Sequence, residues 1–352
     1  MTGIVTPGQT ARGLDDIIVQ KHGAGGRAMR RLIEGTLTAG WRDMPIDGIG
    51  LDAMDDGAAL RIGDKWLILT TDSHVVHPVF FPGGDIGRLA IAGTVNDLAM
   101  MGATQPLGLT CAVIVEEGYR RADLERIQQS MLEASREAGA PVVTGDTKVM
   151  GRGELDGIVI NTTGVGIVDR PVTDAGLRPG DRIILTGLMG DHGIALMARR
   201  HDIEFERELT SDVAPINALI RQALAAGGDA VVAMKDPTRG GVASALHEMA
   251  SKAKVGIVIE EPRVPVSQLV RAAAEMLGLD PFQIANEGKA LIGVHPDTAD
   301  RVLEAIRSNA RGRDAAIVGE VIADHAGRVI LDTGIGRRLL VESEGEPLPR
   351  IC

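Results

Sequence analysis

Carboxylate side chains occur at turns and strand ends in the first half of the sequence, where they could hold a hard cation. Five acids share this kind of position: Asp55, Asp56, Asp72, Asp97 and Asp146. Carboxylate oxygens are the ligands that Mg²⁺ prefers in proteins. The pattern therefore predicts a magnesium site. The alternative for Asp55 and Asp56 is that they only form a turn.

A second acidic position precedes a pair of glycines in the later half. Asp236 and Arg239 stand just before Gly240–Gly241 and an apolar helical segment. A glycine loop at the start of a helix presents backbone N–H groups that suit phosphate. The segment 22–26, with its three glycines, precedes another predicted helix and has the same property.

Together these elements predict a nucleotide site in which Mg²⁺ bridges the phosphates of ATP. Asn96 stands beside Asp97 among small apolar residues, where a polar side chain lowers stability unless it is solvated, hydrogen-bonded or bound. The sequence has no G-x-x-x-x-G-K-S/T motif, so a P-loop is excluded, and it has no G-x-S-x-G nucleophile elbow. The predicted metal ligands are Asp55, Asp56, Asp72, Asp97, Asp146 and Asp236. The predicted cofactor-binding residues are His22, Gly23, Gly25, Gly26, Asp72, Asn96, Asp97, Asp146 and Arg239.

A thiol ends the sequence at Cys352, after a polar run that is broken by Gly345, Pro347 and Pro349. From Leu340 this segment could extend about 40 Å at about 3.3 Å per residue. An exposed thiol is open to oxidation unless it has a use. The segment is therefore either a frayed end with an incidental cysteine or a tether that carries a reactive thiol. The other cysteine, Cys111, lies in an apolar strand and is predicted to be a core residue.

Composition narrows the class of protein. Of the 352 residues, 44% are hydrophobic and 2% aromatic, and 45 are glycine, which favours an α/β fold with aliphatic cores. A net charge of −11 argues against nucleic acid or an anionic membrane as partner. No apolar run reaches the about 20 residues of a membrane span, and no signal peptide is recognised at the start. We therefore expect a cytoplasmic protein.

Alternating strand and helix patterns predict two domains. Residues 1–14 form a leader, 15–169 an N-terminal ATP-binding and dimerisation domain, 170–341 a C-terminal α/β domain, and 342–352 a mobile tail. The predicted elements include a short strand at 17–19, a helix from 85 to 101 and a helix from 211 to 226.

The order of these motifs resembles that of one known family. The residues 22–26, 71–73, 80–85, 96–97, 145–148, 190–193, 236–241, 286–289 and the final Pro349-Arg350-Ile351-Cys352 are similar to those of the HypE family. This family belongs to the superfamily of aminoimidazole ribonucleotide synthetase and selenophosphate synthetase. The resemblance extends from about Ile17 to the last residue. It implies a two-domain PurM-like architecture whose N-terminal sheet pairs across a homodimer.

The resemblance also implies an activity. A carbamoyltransferase, HypF, would place a carbamoyl group on Cys352, and ATP-dependent dehydration would convert it to a thiocyanate. The cyanide would pass to iron on a HypC–HypD scaffold during nickel–iron hydrogenase maturation. By the same resemblance, Lys148 and Glu287 are candidates for proton transfer at the nitrogen.

The sequence departs from the family pattern at three positions. Ala24 stands where a serine is common, and His74 and His77 stand where Tyr and Asp are expected. Two other functions remain open. A synthetase or kinase acting on a free small molecule would not need Cys352, and a non-catalytic carrier would not need Asp72 and Asp97.

Overall fold

The computed structural model describes most of the chain: residues 17–23, 25–42, 44–203, 205, 209–342 and 351–352. The predicted leader, Ala24 and the tail residues 343–350 lie outside the described residues. Two large sheets and their helices form two domains in this part of the chain. The predicted mixed α/β architecture is confirmed.

The first sheet has the strand order β1-β2-β3-β8-β6-β7, and a short β4–β5 ribbon stands beside it. Its strands pair antiparallel except for β6 and β7, which run parallel. The strands are β1 (Gly48–Ile49), β2 (Ala58–Ile62), β3 (Lys65–His74), β4 (Phe80–Phe81), β5 (Gly84–Asp85), β6 (Gly108–Glu116), β7 (Val142–Met150) and β8 (Ile158–Val168).

In the described part of the chain, helices cover one face of this sheet and not the other. Along β3, Ile68 is buried against the helices whereas its neighbour Leu69 is exposed, because successive side chains point to opposite faces. The helices of this domain are α1 (Gly26–Leu32), α2 (Ile86–Met100) and α3 (Arg121–Ala138). The Asp85 carboxylate caps α2 by accepting from Arg88 N (2.9 Å). No helix among the described residues packs on the opposite face, which we call the open face.

The second sheet has the order β10-β12-β9-β13-β11-β14-β15 and is covered on both faces. Ile183 packs in the apolar cluster that contains α6, whereas Ile184 packs in the cluster that contains α5 and α8. Its strands are β9 (Arg182–Leu185), β10 (Val231–Lys235), β11 (Gly256–Glu260), β12 (Leu291–Val294), β13 (Ala316–Ile322), β14 (Val329–Asp332) and β15 (Arg337–Leu339). The helices are α4 (Asp191–Arg200), α5 (Asn217–Gly227), α6 (Gly241–Ala253), α7 (Gln268–Leu277) and α8 (Pro296–Arg307).

Two local predictions were wrong, and one strand was not predicted. Residues 17–19 are exposed and form no strand, because no neighbouring strand pairs with them. The helix predicted from residue 211 begins only at Asn217, since Pro215 disfavours a helical conformation in the residue before it. Strand β10 was not predicted. Most of its residues are buried, so the alternation that marks a half-exposed strand is absent.

Among the described residues, no helix combines the length and the apolar character that crossing a membrane requires.

Candidate active site

An acidic cleft of about 800 Å³ lies where the two domains meet. Its walls come from α1, the turn before β2, β3, α2, the end of β10 and α6. This volume is within the usual range for small-molecule and cofactor sites. The predicted site residues that line it are Gly25, Gly26, Asp55, Asp56, Asp72, Asp97, Asp236 and Arg239.

The two predicted glycine-rich loops meet at the edge of this cleft. Arg239 donates to the Gly23 carbonyl (3.0 Å). A side chain on Gly25, which has a φ of 79°, would come within 3.1 Å of the Arg239 backbone. Glycine is therefore required at this close approach. His22 accepts a backbone N–H from its own segment (3.0 Å), so His22 and Gly23 lie beside the cleft and do not line it.

Strand β3 and helix α2 present two of the acids to each other. Thr70 and Asp72 are two residues apart on β3, so they point to the same side of the sheet, toward α2. The Thr70 hydroxyl donates to Asp97 Oδ2 (2.9 Å). Gly93 lies one turn before Asp97, and a Cβ there would come within 2.8 Å of the His74 ring. The absence of a side chain at Gly93 allows α2 to pack this closely on β3.

Two lysines from the second domain neutralise part of the acidic charge. Lys235 Nζ lies 2.6 Å from Asp56 Oδ1, 3.2 Å from Glu248 Oε2 and 3.7 Å from Asp174 Oδ2. Lys252 Nζ lies 2.6 Å from Asp174 Oδ2. Burial alone would lower the pKa of Lys235, but these carboxylates outweigh it and raise that pKa well above its usual value. Because Asp56 belongs to the first domain, this network ties the domains together.

The remaining acids are not neutralised in this way. Burial raises the pKa of Asp97 well above its ordinary value, and the carboxylates of Asp236 and Asp72 add to the effect. Burial and the charge of Asp56 raise the pKa of Asp236 to about 8. Burial and nearby carboxylates likewise raise the pKa of Asp55 to about 7. The cleft carries an excess of negative charge, which favours the binding of a cation.

The donor set fits Mg²⁺ that arrives with a nucleotide. Oδ2 of Asp56 is buried without a hydrogen-bond partner among the described residues. No three His, Cys, Asp or Glu side chains in the described part of the chain form a ready-made metal site. Mg²⁺ commonly takes one or two carboxylates and completes its shell with phosphate and water. Asp56, Asp72, Asp97 and Asp236 could supply such ligands.

The structure does not bring Asn96 to the cleft. Its Oδ1 accepts from Ile216 N (2.8 Å), and its Nδ2 donates to the carbonyls of Ala214 (3.1 Å) and Glu287 (3.4 Å). Both ends of the amide are occupied, so Asn96 joins α2 to the second domain. The Asn96 side chain is hydrogen-bonded, as a buried polar group requires, but its partners are backbone groups and not a cofactor.

Asp146 and Lys148 also lie away from the cleft of their own chain. Three strand pairs connect Asp146 to β3. Asp146 on β7 pairs with Ala112 on β6, Ala112 pairs with Asn161 on β8, and Asn161 pairs with Ser73 on β3. Three strand spacings of about 4.8 Å place Asp146 about 14 Å from β3. Residues in register share a face, and Ser73 is exposed, so Asp146 and Lys148 lie on the open face. Lys148 Nζ lies 3.2 Å from Asp146 Oδ2.

Glu287 is 3% exposed and lies behind the cleft acids. Its N–H donates to Asp212 Oδ1 (3.1 Å), and its Oε1 has no hydrogen-bond partner among the described residues. Burial raises its pKa well above the ordinary value, and the carboxylates of Asp236 and Asp212 raise it further. A carboxyl group of raised pKa suits proton transfer near neutral pH.

The last two residues are docked between the domains. Ile351 is 1% exposed and packs in an apolar cluster with Phe81, while its carbonyl lies 2.9 Å from His192 Nε2. Val75 N donates to the Cys352 carbonyl (3.2 Å). The other end of the tail is also held, since Glu342 accepts a hydrogen bond from an α1 arginine (3.1 Å).

This docking places Cys352 beside the elements that carry the acids. Val75 is three residues after Asp72, a distance of about 10 Å along an extended chain. Ala285 packs in the same apolar cluster as Ile351 and is two residues before Glu287. Cys352 therefore packs against the apolar cluster shared by the two domains, beside the segments that lead to Asp72 and to Glu287.

Sequence reasoning did not assign Lys235, Lys252, Asp174 and Glu248 to the site. Lys235 ends an apolar segment, and a lysine in such a position indicates that its charge has an anionic partner. Nothing in the sequence shows that this partner is Asp56 of the other domain. The role of His192 was also not predicted.

A second groove of about 820 Å³ lies between α3, β6 and β7. Its lining is mainly apolar and includes Cys111, Ile127 and Met131. It contains none of the predicted site residues, so the acidic cleft is the candidate active site.

The fold and the site define the class of protein. The family models for the N-terminal and C-terminal domains of AIR synthase related protein match residues 54–168 and 178–332. The confirmed class is therefore the PurM-like superfamily that the motifs indicated.

Closer relatives define the family. Carbamoyl dehydratase HypE of Rhizobium leguminosarum bv. viciae is 47% identical over 335 residues, which cover 94% of this chain and 94% of that protein. A crystal structure of a HypE–HypF complex has a TM-score of 0.83 at 42% identity and covers 89% of this chain and 99% of that one. A structure of hydrogenase maturation protein HypE in complex with ATP has a TM-score of 0.79 at 40% identity and covers 96% and 100%. The chain belongs to the HypE family.

Proposed function

We propose that this protein is an ATP-dependent carbamoyl dehydratase that acts on a carbamoyl group carried by its own Cys352. The product is a thiocyanate on the same sulfur, which supplies cyanide for hydrogenase maturation. The observation that carries this proposal is the docked position of Cys352 against the apolar cluster shared by the two domains, beside the segments that lead to Asp72 and to Glu287. The relatives named as carbamoyl dehydratases, and the HypE structure that holds ATP, support it.

The reaction suits the residues around the thiol. The thiocarbamate oxygen attacks the γ-phosphorus of ATP and displaces ADP, while one N–H proton is lost. Loss of the second N–H proton then forms the C≡N bond as the C–O bond breaks and phosphate leaves. Positioning and charge neutralisation supply most of the catalysis in phosphoryl transfer. Glu287, with its raised pKa, would take up a proton from nitrogen.

Mg²⁺ would neutralise the phosphate charge when it is bound with ATP. Asp72, Asp97 and Asp236 would hold it, and Asp56 could join them if Lys235 moved. Arg239 and the N–H groups of Gly25 and Gly26 line the same cleft and would contact phosphate.

The open sheet face supports a homodimer. Apolar side chains are exposed on the open face of the first sheet, among them Ile62, Leu69 and Ile167. An exposed apolar patch of this kind marks an interaction surface. Lys148 lies on this open face, so it would take part in proton transfer only at an interface between copies. The proposed partners in the reaction sequence are HypF, which loads the carbamoyl group, and the HypC–HypD scaffold, which receives the cyanide.

Intact-mass spectrometry tests the proposal. Incubation with HypF, carbamoyl phosphate and ATP should add a carbamoyl group to Cys352, and the adduct should then lose one water in an ATP-dependent step. A Cys111→Ala variant should behave like the wild type. If a Cys352→Ala variant still acquired and dehydrated the group, the proposal would be wrong.

The affinity for Mg²⁺ with ATP should rise with pH. Below about pH 8 the free protein holds a proton on Asp236. A cation needs the ionised carboxylate, so binding releases this proton, and affinity gains up to about tenfold per pH unit. Above about pH 8 the contribution of Asp236 to this gain should level off. Calorimetry with Mg²⁺-bound ATP between pH 7 and pH 9, where the γ-phosphate of the metal-bound nucleotide is ionised, measures this dependence.

Asp181→Asn provides a matched control for the pH experiment. Asp181 is also buried, and burial raises its pKa, but it accepts from Arg178 N in the second domain and does not line the cleft. The Asp236→Asn variant should lose the part of the pH dependence that Asp236 supplies, which is up to one proton released on binding, and Asp181→Asn should retain the wild-type slope. Equal slopes in the two variants would contradict the assignment of Asp236.

A further inference from the structure

His192 is buried at the start of α4 and contacts the docked tail directly. It is 0% exposed, and its Nδ1 lies 2.7 Å from Ser211 Oγ while its Nε2 lies 2.9 Å from the Ile351 carbonyl oxygen. The carbonyl can only accept, so Nε2 carries the proton and donates. Ser211 Oγ already accepts from Val213 N (3.0 Å), which leaves its own hydrogen to donate to Nδ1.

The surroundings fix the imidazole in this orientation. Phe81 meets the ring edge-on with 5.5 Å between centroids, and Ser211 N donates to the Pro82 carbonyl (2.8 Å). Burial lowers the pKa of His192, which keeps the ring neutral and preserves this tautomer. The donor is therefore preorganised before the tail arrives.

Other contacts also hold the described end of the tail. The Ile351 side chain is buried, and the Cys352 carbonyl accepts a hydrogen bond from Val75 N. Each contact made only in the docked position shifts the equilibrium between docked and released positions of the tail. The His192 contact joins a side chain of the fold to the backbone of the tail, so a substitution at His192 can weaken it without changing the tail sequence.

We infer that His192 is a positioning residue whose hydrogen bond to the Ile351 carbonyl sets the fraction of molecules in which Cys352 is docked. A stronger bond favours the docked thiol beside the cleft, and a weaker one favours the released thiol that a loading enzyme can reach. This consequence for loading rests on the proposed function, whereas the docking equilibrium itself does not.

The alkylation rate of Cys352 by iodoacetamide tests the inference in a Cys111→Ala background, where one thiol remains. His192→Asn keeps a polar group near Nδ1 but loses the donor at Nε2, and His192→Gln keeps a donor near Nε2. We expect His192→Asn to raise the alkylation rate about fivefold, since a net hydrogen bond is worth about 1 kcal/mol. His192→Gln should stay within about twofold of the parent. Equal rates in all three proteins, or equal increases in both variants, would overturn the inference.

A variant of the tail itself avoids any effect on folding. Ile351→Ala should raise the alkylation rate at least about tenfold, because the buried side chain is lost. In the Ile351→Ala background, His192→Asn should add little, because the tail is already released. No change with Ile351→Ala would show that the docked state is not populated, and full additivity would show that His192 acts elsewhere. A shift in alkylation without any ATP-dependent dehydration would leave this inference standing and refute the proposed function.

Discussion

Replacing Glu287 with glutamine is expected to slow ATP-dependent dehydration by about 10²–10⁴-fold, the usual contribution of general acid–base catalysis. Glutamine keeps the shape of the side chain, and the backbone contacts of Glu287 with Asp212 and Asn96 do not depend on the carboxylate. The carbamoyl group should still be loaded onto Cys352, so the adduct should accumulate. Single-turnover mass spectrometry of the loaded protein measures the rate.

The pH profile separates a catalytic role from a structural one. A base must be deprotonated, so the wild-type rate should rise as pH increases through the raised pKa of Glu287. The residual rate of Glu287→Gln should lack this rise. Asp181→Asn again serves as the buried-acid control and should keep the wild-type rate. If Glu287→Gln dehydrated the adduct at an undiminished rate, another group would have to be the base.

Replacing Lys235 with methionine should lower the free energy of unfolding by about 3–5 kcal/mol, the usual cost of removing one partner of a buried ion pair. Methionine has a similar length but no charge. Asp56, Asp174 and Glu248 would then be left with less compensation in a largely buried site. Chemical denaturation monitored by circular dichroism measures the loss.

Two further variants serve as controls for Lys235→Met, one outside this network and one within it. Lys65→Met removes an exposed ion pair with Asp169 and should change stability by less than about 0.5 kcal/mol. Adding Asp56→Asn to Lys235→Met should recover part of the loss, because one uncompensated charge is removed. A loss for Lys235→Met no larger than that for Lys65→Met would show that the network contributes little.

The cleft acids could be predicted because each follows from a local pattern. Asp72 comes just before the end of an apolar strand, Asp236 stands just before a glycine pair and a helix, and Asp97 lies in a helix of small residues. Carboxylates in such positions have few uses other than binding. The glycine loops that contain Gly25 and Gly240 could also be predicted from the sequence, since tight loops before helices require glycine.

The placement of the other site residues depends on contacts between segments that are distant in the sequence, and local patterns do not contain this information. The alternation along β7 shows that Asp146 and Lys148 share a face, but it does not show whether that face meets helices or stays open. The polar character of Asn96 predicted a partner, yet the partners are backbone groups more than 100 residues away in the chain. The pairing of Lys235 with Asp56 and the docking of Ile351 against His192 likewise arise only when the two domains come together.

The anchored ends of the tail have a consequence for kinetics. Ten residue steps separate Glu342, held at α1, from Cys352, so a released Cys352 stays within about 33 Å of that anchor. A group tethered at this range has an effective concentration in the millimolar range. Return of the loaded thiol to the cleft is therefore a first-order event that dilution of the protein does not slow. A free carbamoylated thiol would have to reach millimolar concentration to compete with it.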